Sequence, residues 1–578
     1  MDILLVASAF NSLTQRVFAE LVDRGHSVHV QLALGDEPLR EAVLRTAPDL
    51  VVAPMLKTAI PADIWSSHVC LIVHPGPVGD RGPSSLDWAV HTGATDWGVT
   101  VLQAAREMDG GDVWASVPCP LPAVGKSDLY RNEIADAALE AVLLAVERFA
   151  SGTYVPYVQP PQGTAGGDTA ACGRPYFDQS LRRIDWASDP TQTVVRKLRG
   201  ADSQPGVLDE LLEEEWYLHG GHAEDTLRGR PGELIATRSG AVCRATVDGA
   251  VWIPELRPRR KEGGPVTFKL PATLALGDRL PALLEIAAPW ELPDGRRTWS
   301  DIRYREAGAA GFLAFSFAGG AMSTEQCRRL LTAYRFACAR PTSVLVLGGS
   351  RDFFSNGIHL NVIEAADDPA RESWENINAM DDLVEALLTT TDRLLVSALG
   401  GNAAAGGAML ALAADEVWCR SGAVLNPHYR LMGLYGSEYW TYTLPRRVGD
   451  EEARRLTGRA LPVTAARAHE IGLVDVVVDS SPQDFGTVVA SRAARLASAP
   501  STSRRIGEKK AARERDEAVE PLSAYREREL AEMHSTFFDP GAPYHALRAA
   551  FVRKTKPTST PRHLLKEGAS RMDTVRHG

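Results

Sequence analysis

The chain opens with short apolar runs separated by helix-period segments. Ile3–Val6 reads as a strand, and Leu13–Leu21 carries the spacing of an amphipathic helix. Val28–Leu32, Leu50–Ala53 and Val69–Val73 are further strands, the last ending at His74-Pro75-Gly76. Strands alternating with helices at this spacing predict a parallel sheet with helices on both faces. Ligands of such sheets bind beyond the carboxyl ends of the strands, and that is where His74 falls. Gln159–Arg174 is rich in Pro and Gly and reads as a linker, and Arg257–Pro265 as a second one. Between them lie a helix near Pro190–Leu198 and several short strands. From Gly311 the pattern returns to strand (Phe312–Phe317), helix (Thr324–Ala337), strand (Ser343–Leu347). The charge-dense stretch Arg504–Arg528 reads as a solvated helical face.

The length of 578 residues implies several domains. The expected organisation is an α/β multidomain chain divided at 1–165, 166–270 and 271–578. Sixty-three basic residues against 73 acidic ones give a net charge of −10, which argues against nucleic acid as the main partner. Seven cysteines, an odd number without a Cys-x-x-Cys pair, read as free thiols of a cytoplasmic protein, and no metal site is expected. The longest apolar stretch, Ala398–Ala414, contains Asn402 and several glycines and is a poor membrane span.

Candidate chemistry falls in two places. In the first, the strand-end His74 is followed 35 residues later by Asp109 in a Met-Asp-Gly-Gly turn. An imidazole beside a carboxylate can move protons near neutrality, although the residue types alone equally suit a structural pair. The wider pattern is more specific: His74-Pro75, Pro77 to Arg81-Gly82, Trp88-Ala89, Gly98-Val99-Thr100 and Met108-Asp109-Gly110-Gly111-Asp112. It resembles the N10-formyltetrahydrofolate-dependent formyltransferases. Arg183-Ile184-Asp185-Trp186, Lys197-Leu198-Arg199 and Arg230-Pro231-Gly232 resemble that family's smaller C-terminal domain, so the likeness covers about residues 1–258. It implies a Rossmann-like domain followed by a small OB-like β domain. His74 is then the group that polarises the formyl carbonyl and handles protons, and Asp109 orients it and accepts a proton. Folate-binding contributions are implied from Asn11, Arg16, Arg81 and Gly82. One position departs: Ile72 stands where the family carries an asparagine, and Asn11 is the candidate replacement.

In the second place, Phe353-Phe354-Ser355-Asn356-Gly357-Ile358-His359 follows a strand, and Gly400-Gly401-Asn402-Ala403-Ala404-Ala405-Gly406-Gly407 runs into a helix. Small residues let the backbone approach a ligand, and helix amides can face an oxygen of developing charge; close helix packing would explain the glycines as well. The pattern resembles the crotonase (enoyl-CoA hydratase/isomerase) superfamily and continues through Ala414-Asp415-Glu416-Val417 and Ala468-His469-Glu470-Ile471-Gly472. The resemblance implies a crotonase-fold domain, with oxyanion amides at Ile358 and Gly406 and coenzyme A held with help from Gly357, Gly407, Arg553 and Lys554. The family's two hydratase glutamates are replaced by Met409 and Tyr429, so ordinary hydration is not expected. Glu438, in Tyr435-Gly436-Ser437-Glu438-Tyr439-Trp440, is a carboxylate in an aromatic setting and is expected to have a raised pKa. Tyr429 and Glu438 are the expected acid–base pair.

The fusion of the two resembles a family of [NiFe]-hydrogenase maturation proteins. That resemblance implies formyl transfer to coenzyme A, decarbonylation of the formyl thioester to carbon monoxide, and hydrogenase iron-assembly proteins as partners besides the small-molecule substrates. The alternatives are a formyltransferase acting on a small amine with a non-catalytic crotonase scaffold, or an acyl-CoA hydrolase with a folate-binding regulatory domain.

Overall fold

The computed structural model describes residues 1–159 and 174–565, which fold as two compact units. The first contains residues 1–124, 129–177 and the segment from 556. Its sheet has six strands: β1 (Asp2–Ala7), β2 (Ser27–Leu32), β3 (Leu50–Met55), β4 (Cys70–His74), β5 (Asp96–Gln103) and β6 (Val113–Pro120). Their spatial order is β2-β1-β3-β4-β5-β6. The parallel expectation holds for β1–β4, whereas β5 runs antiparallel to β4 and β6 antiparallel to β5. The reversal at β6 follows from the short link through Met108–Asp112, which can close a hairpin but cannot cross over a sheet face. Ile3, Leu5, Val51 and Val52 are fully buried, so β1 and β3 are apolar on both faces instead of alternating. Leu39, Ala42 and Val43 of the helix Asp36–Thr46 pack with Leu4, Val6 and Val51 on one face. Of the first expected linker, residues 160–173 lie outside the described residues. Its first residue, Gln159, is a buried bridge within the first unit.

The second unit holds residues 125–128 and 178–555. It begins with two four-stranded antiparallel sheets. Trp216, Leu218, Val251, Ile253 and Leu256 from their strands share a core with Val194, Val195 and Leu198 of the helix Thr191–Arg199. The second expected linker is instead a loop between two strands of one of these sheets. Glu255–Pro258 enters it and pairs with Trp216–His219, and Leu270–Pro271 leaves it and pairs back on Glu255 and Leu256.

A six-stranded sheet follows, in the order Ile302–Ala307, Ala310–Phe315, Val344–Gly348, Leu394–Leu399, Glu416–Arg420, Val476–Val478. Its first pair is antiparallel and the rest parallel. The apolar stretch 398–414 is divided between the end of a central strand and the buried helix Gly406–Leu412. Among the described residues, no helix is long and apolar enough to cross a membrane.

The charge-dense segment is two helices, Thr502–Val519 and Leu522–Phe538. Their charges are not simply solvated. Lys509 pairs with Asp415 at 2.7 Å, Arg505 with Glu416 at 2.6 Å, and Arg526 with Asp382 and Glu385 at 2.6 and 2.9 Å. These ion pairs fasten both helices onto the sheet unit.

Candidate active sites

In the first unit, the apolar run of β4 ends at His74, which is 5% exposed. The following Pro75 carbonyl accepts from Trp97 Nε1 and Ser85 Oγ, both at 2.9 Å, and Thr100 Oγ1 donates to the Gly76 carbonyl at 2.8 Å. These bonds fix the chain where it leaves the strand. His74 Nε2 lies 2.9 Å from Asp80 Oδ2, while Nδ1 lies 3.5 Å from Asp109 Oδ1. The sequence reading gave the orienting role to Asp109. The shorter contact belongs to Asp80, which is buried and was not singled out.

Asp109 occupies a left-handed backbone conformation (φ 54°) and accepts from Gly82 N at 3.2 Å through Oδ2. Gln159 braces the two loops. Its Nε2 donates to the carbonyls of Asp109 and Gly111, both at 2.8 Å, and its Oε1 accepts from Gly79 N at 3.1 Å.

The expected folate-binding residues have other partners as well. Asn11 caps the helix Ser12–Asp23, its Oδ1 accepting from Thr14 N at 3.0 Å and Thr14 Oγ1 at 2.9 Å. That oxygen is committed to the cap, which leaves the Nδ2 hydrogens as the donors Asn11 could offer in place of the asparagine absent at Ile72. Arg16 pairs with Asp136, and Arg81 with Glu107 at 2.7 Å. Three buried polar atoms here, Arg16 Nε, Asp80 Oδ1 and Arg81 Nε, have no hydrogen-bond partner among the described residues. The unfilled arginine donors suit a polar ligand, whereas Asp80 Oδ1 faces Arg174 Nε at 3.5 Å.

In the second unit, two loops leave neighbouring strand ends and meet. Ala404 N donates to Ser355 O at 2.9 Å, and Phe354 N to Asn402 O at 2.9 Å. A side chain at Gly357 (φ 80°) would stand 3.2 Å from Gly406 N, so the segments carrying the Ile358 and Gly406 amides are in direct contact. Gly407 is a packing glycine: a Cβ there would lie 2.1 Å from Ser355 O. His359, where the motif departs from its family, caps the helix Leu360–Ala365, with Nδ1 accepting from Val362 N at 3.3 Å. Arg553 is paired with Glu364, and Lys554 Nζ lies 4.3 Å over the Phe551 ring, its amine held below the usual value by burial.

Glu438 lies at the start of the helix Gly406–Leu412: a Cβ on Gly406 would be 2.1 Å from Glu438 Oε1. Its Oε2 accepts from Tyr429 Oη at 2.6 Å and from Ser437 N at 3.1 Å. Met409 is fully buried. Glu438 and Tyr439 are consecutive left-handed residues (φ 60° and 57°), a costly conformation for side chains of this size.

Two buried acids from distant helices hold this turn. Asp381 accepts from Glu438 N at 2.8 Å and from Ser437 Oγ at 2.9 and 2.8 Å. Glu529 accepts from Tyr439 N at 2.9 Å and Thr441 N at 2.8 Å. Burial pushes the Glu438 carboxyl up to about 8, with the nearby Asp381 charge adding to it. Burial likewise raises Asp381 to about 7 and Glu529 to about 8. The expectation of a raised value from burying the carboxylate agrees with burial as the main cause, and the Asp381 charge adds to it. Tyr435 is 44% exposed and packs on Trp440.

Two family models match the chain, both mainly within the second unit. The family model of the formyl transferase C-terminal domain matches residues 177–267, and that of enoyl-CoA hydratase/isomerase matches 321–558. Fold and sites define a fused formyltransferase–crotonase enzyme. Hydrogenase maturation factor HoxX from Bradyrhizobium diazoefficiens is 47% identical over 562 residues, spanning 97% of this chain and 96% of its own. The crystal structure of HypX from Aquifex aeolicus in complex with tetrahydrofolic acid superposes with a TM-score of 0.92 at 43% identity, covering 97% of this chain and 98% of that one. The chain thus belongs to the HoxX/HypX family of hydrogenase maturation factors. A methionyl-tRNA formyltransferase from Marinobacter nauticus is 24% identical over 237 residues, 40% of this chain and 73% of that protein.

Proposed function

We propose that the enzyme transfers a formyl group from N10-formyltetrahydrofolate to the thiol of coenzyme A, then splits the formyl thioester into carbon monoxide and free thiol for the iron of a [NiFe]-hydrogenase. In the first reaction the sulfur bonds to the formyl carbon, the carbon–N10 bond breaks, and the thiol proton ends on N10. His74 and Asp109 serve this step. The tetrahydrofolate complex of the Aquifex aeolicus HypX supports the donor.

In the second reaction a base removes the formyl proton. The carbon–sulfur pair leaves on sulfur, which is protonated, and the carbon keeps the former C–H pair as carbon monoxide. No oxidant is needed. The observation that carries this reading is the Glu438 carboxylate lying against Gly406 and hydrogen-bonded to Tyr429 at 2.6 Å, where Met409 replaces a hydratase glutamate. A formyl thioester has no α-carbon, so enolate chemistry is closed to it. A carboxyl raised to about 8 is matched to proton abstraction near neutrality. The Ile358 and Gly406 amides hold the formyl oxygen, and Gly357, Gly407, Arg553 and Lys554 belong to the thioester's binding region.

The test is a headspace assay for carbon monoxide from the full chain with both substrates. Glu438→Gln is expected to consume formyl-tetrahydrofolate while carbon monoxide falls by about 10²-fold or more and formyl-CoA or formate accumulates. Unchanged carbon monoxide release from the folded variant would remove Glu438 from the mechanism.

A further inference from the structure

Asp80 is a buried carboxylate with no structural duty that explains its burial. It is 2% exposed, six residues beyond His74, in a Pro-Val-Gly-Asp loop closed by its own N–H to the Pro77 carbonyl at 3.0 Å. Desolvating a carboxylate costs several kcal/mol unless its hydrogen bonds and charge are answered. Two groups answer this one: His74 Nε2 at 2.9 Å from Oδ2, and Arg174 Nε at 3.5 Å from Oδ1. The Arg174 guanidinium is in turn 5.3 Å from the Trp97 ring centroid.

The contact depends on Gly76. A Cβ there would be 2.4 Å from both Asp80 Oδ2 and His74 Nε2, so any side chain at 76 would wedge the pair apart. Gln159 steadies the same loop by accepting from Gly79 N.

The contact selects one tautomer of a neutral ring: a carboxylate accepting at 2.9 Å is met by a hydrogen on Nε2, which leaves the lone pair on Nδ1. It faces Asp109 Oδ1 at 3.5 Å, too far for a hydrogen bond but close enough to stabilise a positive ring.

We propose that Asp80 is the positioning residue of formyl transfer: it holds the Nε2 hydrogen of His74 and so makes Nδ1 the nitrogen that takes and returns the proton. The proposal rests on the formyl-transfer reading above. As the thiol sulfur bonds to the formyl carbon, Nδ1 takes the S–H proton. As the carbon–N10 bond breaks, Nδ1 returns that proton to N10. The ring ends in the protonation state in which it began, and no proton is gained or lost overall.

Asp80→Asn keeps the shape but presents an amide N–H or a neutral oxygen to Nε2, which frees the ring to change tautomer. In the full chain, loss of N10-formyltetrahydrofolate with coenzyme A is expected to fall in kcat by roughly 10²–10⁴-fold, the range seen when a catalytic histidine loses its carboxylate partner. KM and tetrahydrofolate binding should stay within about 3-fold, which a merely structural role would not produce. With ¹⁵N-histidine labelling, the wild-type His74 signal, assigned by its loss in His74→Gln, should report protonated Nε2 and unprotonated Nδ1. The asparagine variant should lose that pattern. An Nδ1-protonated His74 in the wild type overturns the proposal even if no variant folds. A folded Asp80→Asn protein with kcat within 3-fold of wild type overturns it while leaving formyl transfer intact. A wild-type chain that consumes no formyl-tetrahydrofolate overturns the formyl-transfer reading and this proposal together.

Discussion

Replacing Glu529 by glutamine should invert the order of stability of variant and wild type between pH 5 and pH 9. Glu529 is fully buried and meets three donors: Tyr439 N, Thr441 N and Thr441 Oγ1. Burial nevertheless outweighs them and lifts the carboxyl from 4.5 to about 8. A folded-state value above the unfolded one means that the group's contribution to stability is fully present below pH 4.5. It is lost as pH rises through about 8. The shift, at about 1.4 kcal/mol per unit, amounts to about 5 kcal/mol. At pH 5 the acid is neutral and glutamine is nearly its isostere, so the variant should cost only about 1 kcal/mol through a mismatched N–H. At pH 9 wild type must bury a charge that the variant lacks, and the variant should be the more stable by about 4 kcal/mol. Asp381 and Glu438 titrate in both proteins and largely cancel from the difference. Thermal unfolding scans of both proteins from pH 5 to pH 9 provide the assay. A Tm difference, variant minus wild type, that is flat or falls over that range would refute the account of a charge buried at cost.

Two further substitutions test the sites separately. Gly406→Ala places a Cβ 2.1 Å from Glu438 Oε1; carbon monoxide release should fall by about 10²-fold or more with formyl-tetrahydrofolate consumption unchanged, measured in the same reaction. Gln159→Ala removes the brace between the Gly79 loop and the Asp109 turn; formyl transfer should fall about 10-fold or more, as expected when a positioning contact is lost, with carbon monoxide release from supplied formyl-CoA unaffected.

The strands of the first unit could be read because each is a short apolar run bounded by turn residues. The antiparallel turn of β5 and β6 could not, since the pattern of a strand does not state its direction. His74, Asp109, Gly406 and Glu438 stand in contiguous motifs, and contiguity made them visible. Asp80 was hidden within a Pro- and Gly-rich loop that has no periodicity to mark an inward side chain. Asp381 and Glu529 lie 57 and 90 residues from the backbone groups they accept from. Each sits on a helix whose polar positions normally face water, and nothing local distinguishes a buried acid from a solvated one. Gln159 reads as the start of a linker because composition changes there, although its side chain braces the first unit.

The left-handed turn at Glu438–Tyr439 also sets the order in which this enzyme can come to life on the ribosome. Every strand of the six-stranded sheet has been made by residue 478, yet the acid that pins Tyr439 arrives at 529. A nascent chain folding from its N-terminus therefore makes the loops of Ile358 and Gly406 and the turn at 438–439 before it acquires the second of the two acids that hold that turn. During that interval Asp381 holds the turn at Glu438 N and Ser437 Oγ, while Tyr439 N and Thr441 N still lack the acceptor that Glu529 supplies. The support of the Glu438 turn is thus completed late, and so is the first unit, which takes in the segment from 556.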